Sequence, residues 1–426
     1  MRRFISSLFS LLIVSLVSCT DQLSVGKAEQ KVNASDLLKY DDPSYVSGLA
    51  VMRERAELLS SVLWCAQGDI PNEMAYYYKG KTYRAVPYSS AKELDKFVGT
   101  DVSFYTFLSA IYNPDSVIYT EHIDKYPYHG INCSTYYGTT CSMSACYALG
   151  IQTQIPSKMF ADSELFVKLE DQSVDKLAPG DVMASTGHTI LVLDVVKNES
   201  GQLKEVEVLN VCTIRNENRD FLINLLNEGY SFYRYKYIED NQEVEKLPFD
   251  YLSATSSYDY FHSFALSLSR GDRSSYRLGE HVHFNILQEG FGSVEVYEED
   301  KYLESINLQG RCLDYEPKRA GMFSARLVSD NRVSEYVSFE VIDTSSNIRD
   351  EGDRVCVLFR SSNAVPHSIV VCEVSGKQHL VHFLDDSEIR KGYAFLPQVV
   401  AKEDLFIKVL FKGQFGRVAS KPVMII

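Results

Sequence analysis

Hydrophobic positions follow two different periods along the chain, and the change falls near residue 260. Residues 50 to 67 place apolar side chains at the spacing of an amphipathic helix, with charged residues between them. After residue 260, short runs such as GEHVHFNIL and EYVSFEVID alternate apolar and polar residues and are separated by Gly, Asp and Asn. The first pattern predicts a domain that contains helices, and the second predicts antiparallel β-sandwiches.

The alternating pattern starts again near residue 345, in runs such as RVCVLFRSS and LFIKVLFKG. A weak internal repeat accompanies it, since Phe323-x-x-x-Leu327 is matched by Phe406-x-x-x-Leu410. The sequence therefore predicts two tandem β-sandwiches, over residues 256–343 and 344–426. Both resemble bacterial immunoglobulin-like modules.

The N-terminus has the pattern of an export signal. Two arginines at positions 2 and 3 precede an apolar run from Phe4 to Val17 that is too short to span a bilayer. The run closes on Leu-Val-Ser-Cys at 16–19, which resembles the lipobox of bacterial lipoproteins. The resemblance implies that Cys19 is lipidated and becomes the mature N-terminus. The alternative is an ordinary signal peptide that contains a Cys.

We therefore expect residues 1–19 to be a signal peptide and residues 20–45 a polar tether. Multiple acyl chains would hold the protein on the non-cytoplasmic side of a membrane, in the periplasm or at the cell surface. The formal charge of -14 argues against nucleic acid as a partner. Nine cysteines do not form the dense pattern of a disulfide scaffold, so a thiol is available for chemistry. We expect a monomer.

A candidate nucleophile lies in the stretch YYGTTCSMSAC at 136–146. Thr140 is a suitable N-cap, and apolar residues from Cys141 to Leu149 recur at helical spacing before Gly150. Cys141 would then lie in the first turn, where the helix N-terminus lowers the pKa of a thiol. The alternative is that Cys141 is a small buried hydrophobic residue.

Two polar residues downstream have the placement of partners for this thiol. The turn LAPGD at 177–181 leads into a strand, and His188 stands immediately before the apolar run from Thr189 to Val196. In the next predicted strand, Val206, Val208, Asn210 and Cys212 share one face. A buried Asn210 requires a hydrogen-bond partner, which an imidazole N–H could supply.

Three segments, TTCS at 139–142, LAPGD at 177–181 and GH at 187–188, together resemble the NlpC/P60 superfamily of papain-like cell-wall hydrolases. The resemblance covers roughly residues 50 to 245 and implies an α+β papain-like domain at 46–255. It implies Cys141 as nucleophile, His188 as general base and Asn210 as the residue that orients His188. It further implies a cysteine peptidase, without metal or cofactor, that cuts peptidoglycan stem peptides between D-Glu and a diamino acid.

Other residues enter through the same resemblance or compete with it. Tyr88 is a candidate substrate contact, with a packed aromatic residue as the alternative. Met143 and Thr140 depart from the Gly and the acidic residue usual in the family. Cys133, within GINCS at 130–134, is a rival nucleophile, but the aromatic residues and Gly that follow it make a poor helix start.

The sequence leaves two other functions open. The chain could be an inactive lipoprotein of this superfamily that binds glycan or cell wall, or the same triad could transfer an acyl group to a lipid or amine. His281 and His283 alternate on a predicted strand as metal ligands can, but no cluster of carboxylates or cysteines accompanies them. We interpret them as surface histidines.

Overall fold

The computed structural model describes most of the chain after residue 47. The described residues are 48–71, 76–88, 97–111, 113–120, 138–151, 153–238, 265–286, 292–329, 331–351, 354–373, 378–396 and 405–425. They fall into two units, residues 1–90 with 137–255 and residues 91–136 with 256–426. Cys19 and Cys133, with the signal peptide and tether, lie outside the described residues.

Helices occur in both units. In chain order they are α1 Leu49–Ser61, α2 Phe104–Ile111, α3 Val117–Thr120, α4 Cys141–Ala148, α5 Arg219–Asn227 and α6 Asp386–Lys391. Short 3-10 helices cover Ser157–Asp162 and Val174–Lys176. Among the described helices, none is long and apolar enough to cross a membrane.

The first unit is built on a six-stranded antiparallel sheet. Its strands, with those of two small hairpins, are β1 Leu63–Cys65, β2 Ile70–Pro71, β3 Tyr76–Tyr77, β4 Thr82–Arg84, β5 Phe166–Lys168, β6 Asp181–Ala184, β7 Thr189–Lys197, β8 Leu203–Asn210, β9 Thr213–Asn218 and β10 Ser231–Tyr235. The order in the large sheet is β5-β10-β6-β7-β8-β9. Helices and an antiparallel sheet make this unit α+β.

One face of the large sheet packs on α5. Val206 and Val208 of β8 are fully buried there with Leu222 of α5 and Phe232 of β10. Each such side chain contributes roughly 1.5–3 kcal/mol of burial energy. Helix α4 packs against α1 and β7. The sheet and α1 thus hold the start of α4 beside the start of β7.

Helix α1 is shorter than the pattern of residues 50–67 predicts. It ends at Ser61, and the chain continues as β1, which pairs with β4. Trp64 in β1 is fully buried and its indole N–H donates to the Ala85 carbonyl at 2.9 Å. Glu54 and Arg55 are also buried, so the charged residues of α1 do not form a solvent-exposed face. Pairing with β4 overrides the helical spacing of the last residues.

The second unit contains the β-sandwiches that the alternating pattern predicts. Their strands are β11 Leu266–Leu268, β12 Ser274–Arg277, β13 Val282–Ile286, β14 Ser293–Glu298, β15 Lys301–Asn307, β16 Cys312–Tyr315, β17 Gly321–Ser329, β18 Arg332–Val333, β19 Val337–Ile342, β20 Thr344–Asp350, β21 Val355–Ser361, β22 Val365–Glu373, β23 Gln378–Phe383, β24 Tyr393–Leu396, β25 Leu405–Lys412, β26 Arg417–Ala419 and β27 Val423–Met424. Most of the described C-terminal residues are therefore in strands.

Two hydrophobic cores divide these strands. In the first, sheet β11-β13-β16 faces sheet β12-β19-β17-β14-β15, with Phe284 and Phe339 among the residues buried between them. In the second, sheet β20-β21-β24 faces sheet β23-β22-β25-β26, with Val357 and Ile407 between them. The first sheet pair ends at Ile342 and the second begins at Thr344.

The internal repeat does not align equivalent side chains. Phe323 and Leu327 of β17 point into the first sandwich core. In β25 the core is filled instead by Ile407 and Val409, while Leu410 belongs to a separate cluster on the other face, against which Phe406 packs. A shift of one residue moves a strand side chain to the opposite face. The matched residues therefore face the core in β17 and the other side of the sheet in β25.

Residues 97–120 belong to the second unit, which differs from the single domain predicted over 46–255. The Tyr105 hydroxyl donates to Asp272 Oδ2 at 2.9 Å, and Thr106 Oγ1 donates to the Arg273 carbonyl at 3.0 Å. Asp101 forms an ion pair with Arg417, and both side chains are almost fully buried. These contacts are made by isolated polar residues, which hydrophobic periodicity does not identify.

Candidate functional site

Cys141 occupies the first residue of α4. Thr140 is the N-cap, and its Oγ1 accepts a hydrogen bond from the Met143 N–H at 3.2 Å. Gly150, with φ of 77°, follows the helix in the left-handed conformation that favours Gly. Cys141 retains 9 % of its surface exposed and is not joined in a disulfide. The thiol therefore lies at the positive end of a capped helix and is largely buried.

His188 contacts both other members of the predicted triad. It stands directly before β7 and is held by a turn in which the Ser185 N–H donates to the His188 carbonyl at 2.9 Å. Its Nε2 lies 3.0 Å from Oδ1 of Asn210, the last residue of β8. The charge and hydrogen-bonding capacity of His188 also lower the pKa of the Cys141 thiol. Because Nε2 is used by Asn210, Nδ1 is the nitrogen that remains for the sulfur.

A strained turn follows Asn210. Val211 has φ of 59°, which a β-branched residue rarely adopts, and the chain then enters β9 at Thr213. The prediction that Cys212 continues the face of Asn210 is therefore wrong, because the strand has already ended. The Cys212 sulfur lies 3.8 Å from Ser144 Oγ of α4 instead. Backbone strain of this kind concentrates at functional sites.

The thiol and the imidazole stabilise each other's charged forms. Burial raises the pKa of Cys141, but the charge and hydrogen bond of His188 outweigh it and the pKa lies below the ordinary value. Burial lowers the pKa of His188, but the Cys141 thiolate and the Asn210 amide leave it above the ordinary value. The two directions together favour a thiolate–imidazolium pair.

Two residues near the triad have no distinguishing signal in the sequence. The Tyr230 ring lies edge-on to His188, with 6.3 Å between ring centroids, and burial raises the pKa of Tyr230 to about 12. Arg215 of β9 opposes the raised pKa of His188 through its positive charge. Tyr230 is one of 28 tyrosines, and only the pairing of strands places either residue beside His188.

The thiol also has a hydroxyl neighbour. Ser157 Oγ lies 3.8 Å from Cys141 Sγ and accepts a hydrogen bond from Thr189 Oγ1 at 2.7 Å. The Thr189 backbone N–H also lowers the pKa of the Cys141 thiol. The Gln154 amide donates to Thr140 Oγ1 and Ser142 Oγ, both at 3.0 Å, and so ties down the helix start.

Tyr88 lies next to the segment that carries the thiol. It forms a parallel bridge with Thr139, and the Thr139 N–H donates to the Pro87 carbonyl at 3.0 Å. The backbone of Tyr88 is thus held two residues from the start of α4. This placement is compatible with the predicted substrate contact and also with a packing role.

The paired histidines belong to the first sandwich. His281 and His283 are exposed on either side of Val282, and His283 pairs with Asp314. Within the described ranges, no group of three or more His, Cys, Asp or Glu side chains is arranged to hold a metal ion.

Comparisons with known proteins identify similar solved structures but no family. No family model matches the chain, and no curated protein matches it. Similar structures include fibronectin(III)-like modules of Clostridium thermocellum CbhA, 13% identical over 37% of this chain and 90% of that one, with a TM-score of 0.21. Domains 3 and 4 of rat CD4 are 9% identical over 35% of this chain and 97% of that one, with a TM-score of 0.22. At these scores the likenesses carry no argument about function.

Proposed function

We propose that this chain is a lipid-anchored cell-wall hydrolase, a cysteine peptidase of the NlpC/P60 type with a papain-like catalytic domain and Cys141, His188 and Asn210 as its triad. The observation that carries the proposal is the position of His188, whose Nε2 lies 3.0 Å from the Asn210 amide oxygen and whose charge lowers the pKa of the Cys141 thiol. A nucleophile, a base and a group that orients the base are the parts that covalent acyl transfer requires.

The proposed reaction gives each of these groups a role. The Cys141 thiolate attacks the amide carbonyl, and backbone N–H groups at the start of α4 stabilise the oxyanion. The imidazolium of His188 protonates the leaving amine, after which His188 accepts a proton from the water that hydrolyses the thioester. Asn210 keeps the imidazole in the tautomer that directs Nδ1 to the sulfur.

The proposed substrate is a peptidoglycan stem peptide, cut between D-Glu and a diamino acid. This specificity rests on the resemblance of TTCS, LAPGD and GH to the superfamily. The β-sandwiches would then serve as spacers or wall-binding modules.

The test is incubation of the chain without residues 1–19 with purified muropeptides, followed by mass spectrometry of the products. Cleavage that Cys141→Ala and His188→Ala abolish and Cys133→Ala leaves intact supports the proposal. Loss of cleavage in Cys133→Ala with activity retained in Cys141→Ala would assign the nucleophile to Cys133. Binding to cell walls without any product would favour the inactive, wall-binding lipoprotein.

A further inference from the structure

The sulfur of Cys141 has a neighbour that the triad does not include. Ser157 begins the 3-10 helix Ser157–Asp162, and its Oγ lies 3.8 Å from Cys141 Sγ, within hydrogen-bonding range of sulfur. Ser157 is partly buried, and its hydroxyl contacts the sulfur and Thr189 Oγ1. The Ser157 O–H can donate to only one of these two partners.

The number of hydroxyl hydrogens decides which partner accepts from Ser157. A hydroxyl has one hydrogen to donate and can accept from others. Thr189 Oγ1 donates to Ser157 Oγ at 2.7 Å, so the Ser157 hydrogen is not used in that contact. A thiolate can only accept. Once Cys141 ionises, Ser157 is therefore the donor and the sulfur is the acceptor.

Thr189 contributes to this arrangement twice. Its side chain fixes the Ser157 hydroxyl, and its backbone N–H lowers the pKa of the Cys141 thiol. Thr189 is fully buried as the first residue of β7, immediately after His188. The first residue of β7 therefore acts on the thiol, and His188 directly before it supplies the imidazole.

We propose that Ser157 is a further catalytic residue, whose hydroxyl donates a hydrogen bond to the Cys141 thiolate, and that Thr189 is its positioning residue. The inference rests on the proposed role of Cys141 as nucleophile. The charged group that acts on this thiol is His188, which lowers the pKa of Cys141, and Arg215 opposes the charge of His188. Ser157 is uncharged and acts on the thiolate through its hydroxyl alone.

The test measures the rate of Cys141 alkylation against pH on the full chain in detergent, with iodoacetamide as probe and mass spectrometry of the Cys141 peptide as readout. The midpoint of this rate profile should be about one pH unit higher in Ser157→Ala than in wild type, because the variant loses one hydrogen bond to a charged sulfur. A thiolate of higher pKa is more nucleophilic, so the rate at high pH should rise by about threefold. A purely structural lesion would lower that rate.

Three further variants separate donation from packing. Ser157→Thr keeps a hydroxyl and should retain the wild-type midpoint. Thr189→Val keeps the branched shape but not the hydroxyl donor, so the midpoint should rise by less than in Ser157→Ala. Thr189→Ser keeps the hydroxyl and should have the wild-type midpoint. The Ser157→Ala/Thr189→Val double variant should match Ser157→Ala alone, because Thr189 Oγ1 acts through Ser157.

The control is Ser163→Ala, at the other end of the same 3-10 helix, which should leave the midpoint unchanged. An unchanged midpoint in Ser157→Ala, or shifts that add in the double variant, would overturn the inference while the proposed function stands. A wild-type midpoint at the ordinary thiol value would overturn both. A low midpoint that responds to Ser157→Ala without muropeptide cleavage would contradict the proposed substrate alone.

Discussion

His188 and Asn210 are separated by 22 residues in the sequence, yet Nε2 of one lies 3.0 Å from Oδ1 of the other. Antiparallel pairing of β7 with β8 produces this contact, because its register places Ile190 opposite Asn210. Asn210 is 7 % exposed, so few waters could replace the imidazole as its partner. The contact orients the imidazole without adding a second negative charge beside the thiolate.

Removal of the Asn210 amide should weaken hydrolysis without abolishing it. In Asn210→Ala the imidazole loses one hydrogen bond to its charged form, which corresponds to roughly tenfold to a hundredfold in kcat/KM. Steady-state kinetics on a muropeptide substrate measures this loss. Asn216→Ala, on the exposed surface of β9, is the matched control and should retain full activity. An Asn210→Ala enzyme with wild-type kcat/KM would contradict the orienting role.

Hydrolysis should depend on pH with a bell-shaped profile. The lowered pKa of Cys141 places the acidic limb below about 8.5, and the raised pKa of His188 places the alkaline limb above about 6.5. Activity rises as the thiolate forms and falls as the imidazolium that protonates the leaving amine is lost. The two midpoints belong to the coupled pair rather than to either residue alone.

The same profile contains a signature of Asn210. Its hydrogen bond contributes to the raised pKa of His188, so the alkaline limb of Asn210→Ala should move to lower pH. The kcat/KM profiles of wild type and Asn210→Ala, measured in parallel, test this. A shift of the alkaline limb to higher pH would show that the amide does not stabilise the imidazolium.

Acylation should depend on the thiol of Cys19. If the Leu-Val-Ser-Cys segment at 16–19 is a lipobox, Cys19→Ala removes the acceptor of the diacylglycerol group. Cells grown with a clickable fatty acid should label the wild type and not the variant. Ser18→Ala, which keeps the thiol and a small residue before it, should still be labelled. Label that persists in Cys19→Ala would show that the chain is not anchored through this residue.

Local patterns predicted the elements that carry the site. Thr140 as N-cap, Cys141 in the first helical turn and Thr189 as the first residue of a strand follow from short-range propensity and spacing. The alternating pattern after residue 260 likewise predicted the sandwiches. These features are encoded within a few neighbouring residues, which is why a single sequence shows them.

Features that depend on pairing between distant strands were not predictable in this way. The turn at Val211 removes Cys212 from the face of Asn210, and β1 replaces the end of the predicted helix because β4 is available to pair with it. Ser157 approaches the sulfur through a connection with no motif of its own. Hydrophobic periodicity carries no information about such contacts, because they involve single polar or strained residues.

The ion pair between Asp101 and Arg417 should be the polar contact on which the second unit depends most. The two side chains are 0 % and 1 % exposed, and Asp101 Oδ2 also accepts from the Phe97 N–H at 2.7 Å. Loss of one partner leaves the other charge buried and uncompensated, which typically costs about 3–5 kcal/mol. Asp101→Asn and Arg417→Met should each lower the free energy of unfolding of this unit by about that amount.

The double variant distinguishes this explanation from a loss of packing. Asp101→Asn/Arg417→Met buries no unpaired charge, so it should lose less than the sum of the single changes. Urea titration monitored by circular dichroism gives the free energies, and deuterium uptake of residues 97–111 reports whether that segment is released. Lys318→Met removes a surface pair with Glu316, in which Lys318 is 77% exposed, and should change stability by less than about 1 kcal/mol. Additive losses in the double variant, or uptake at 97–111 that matches wild type in every variant, would contradict the role of this ion pair in holding the segment to the sandwiches.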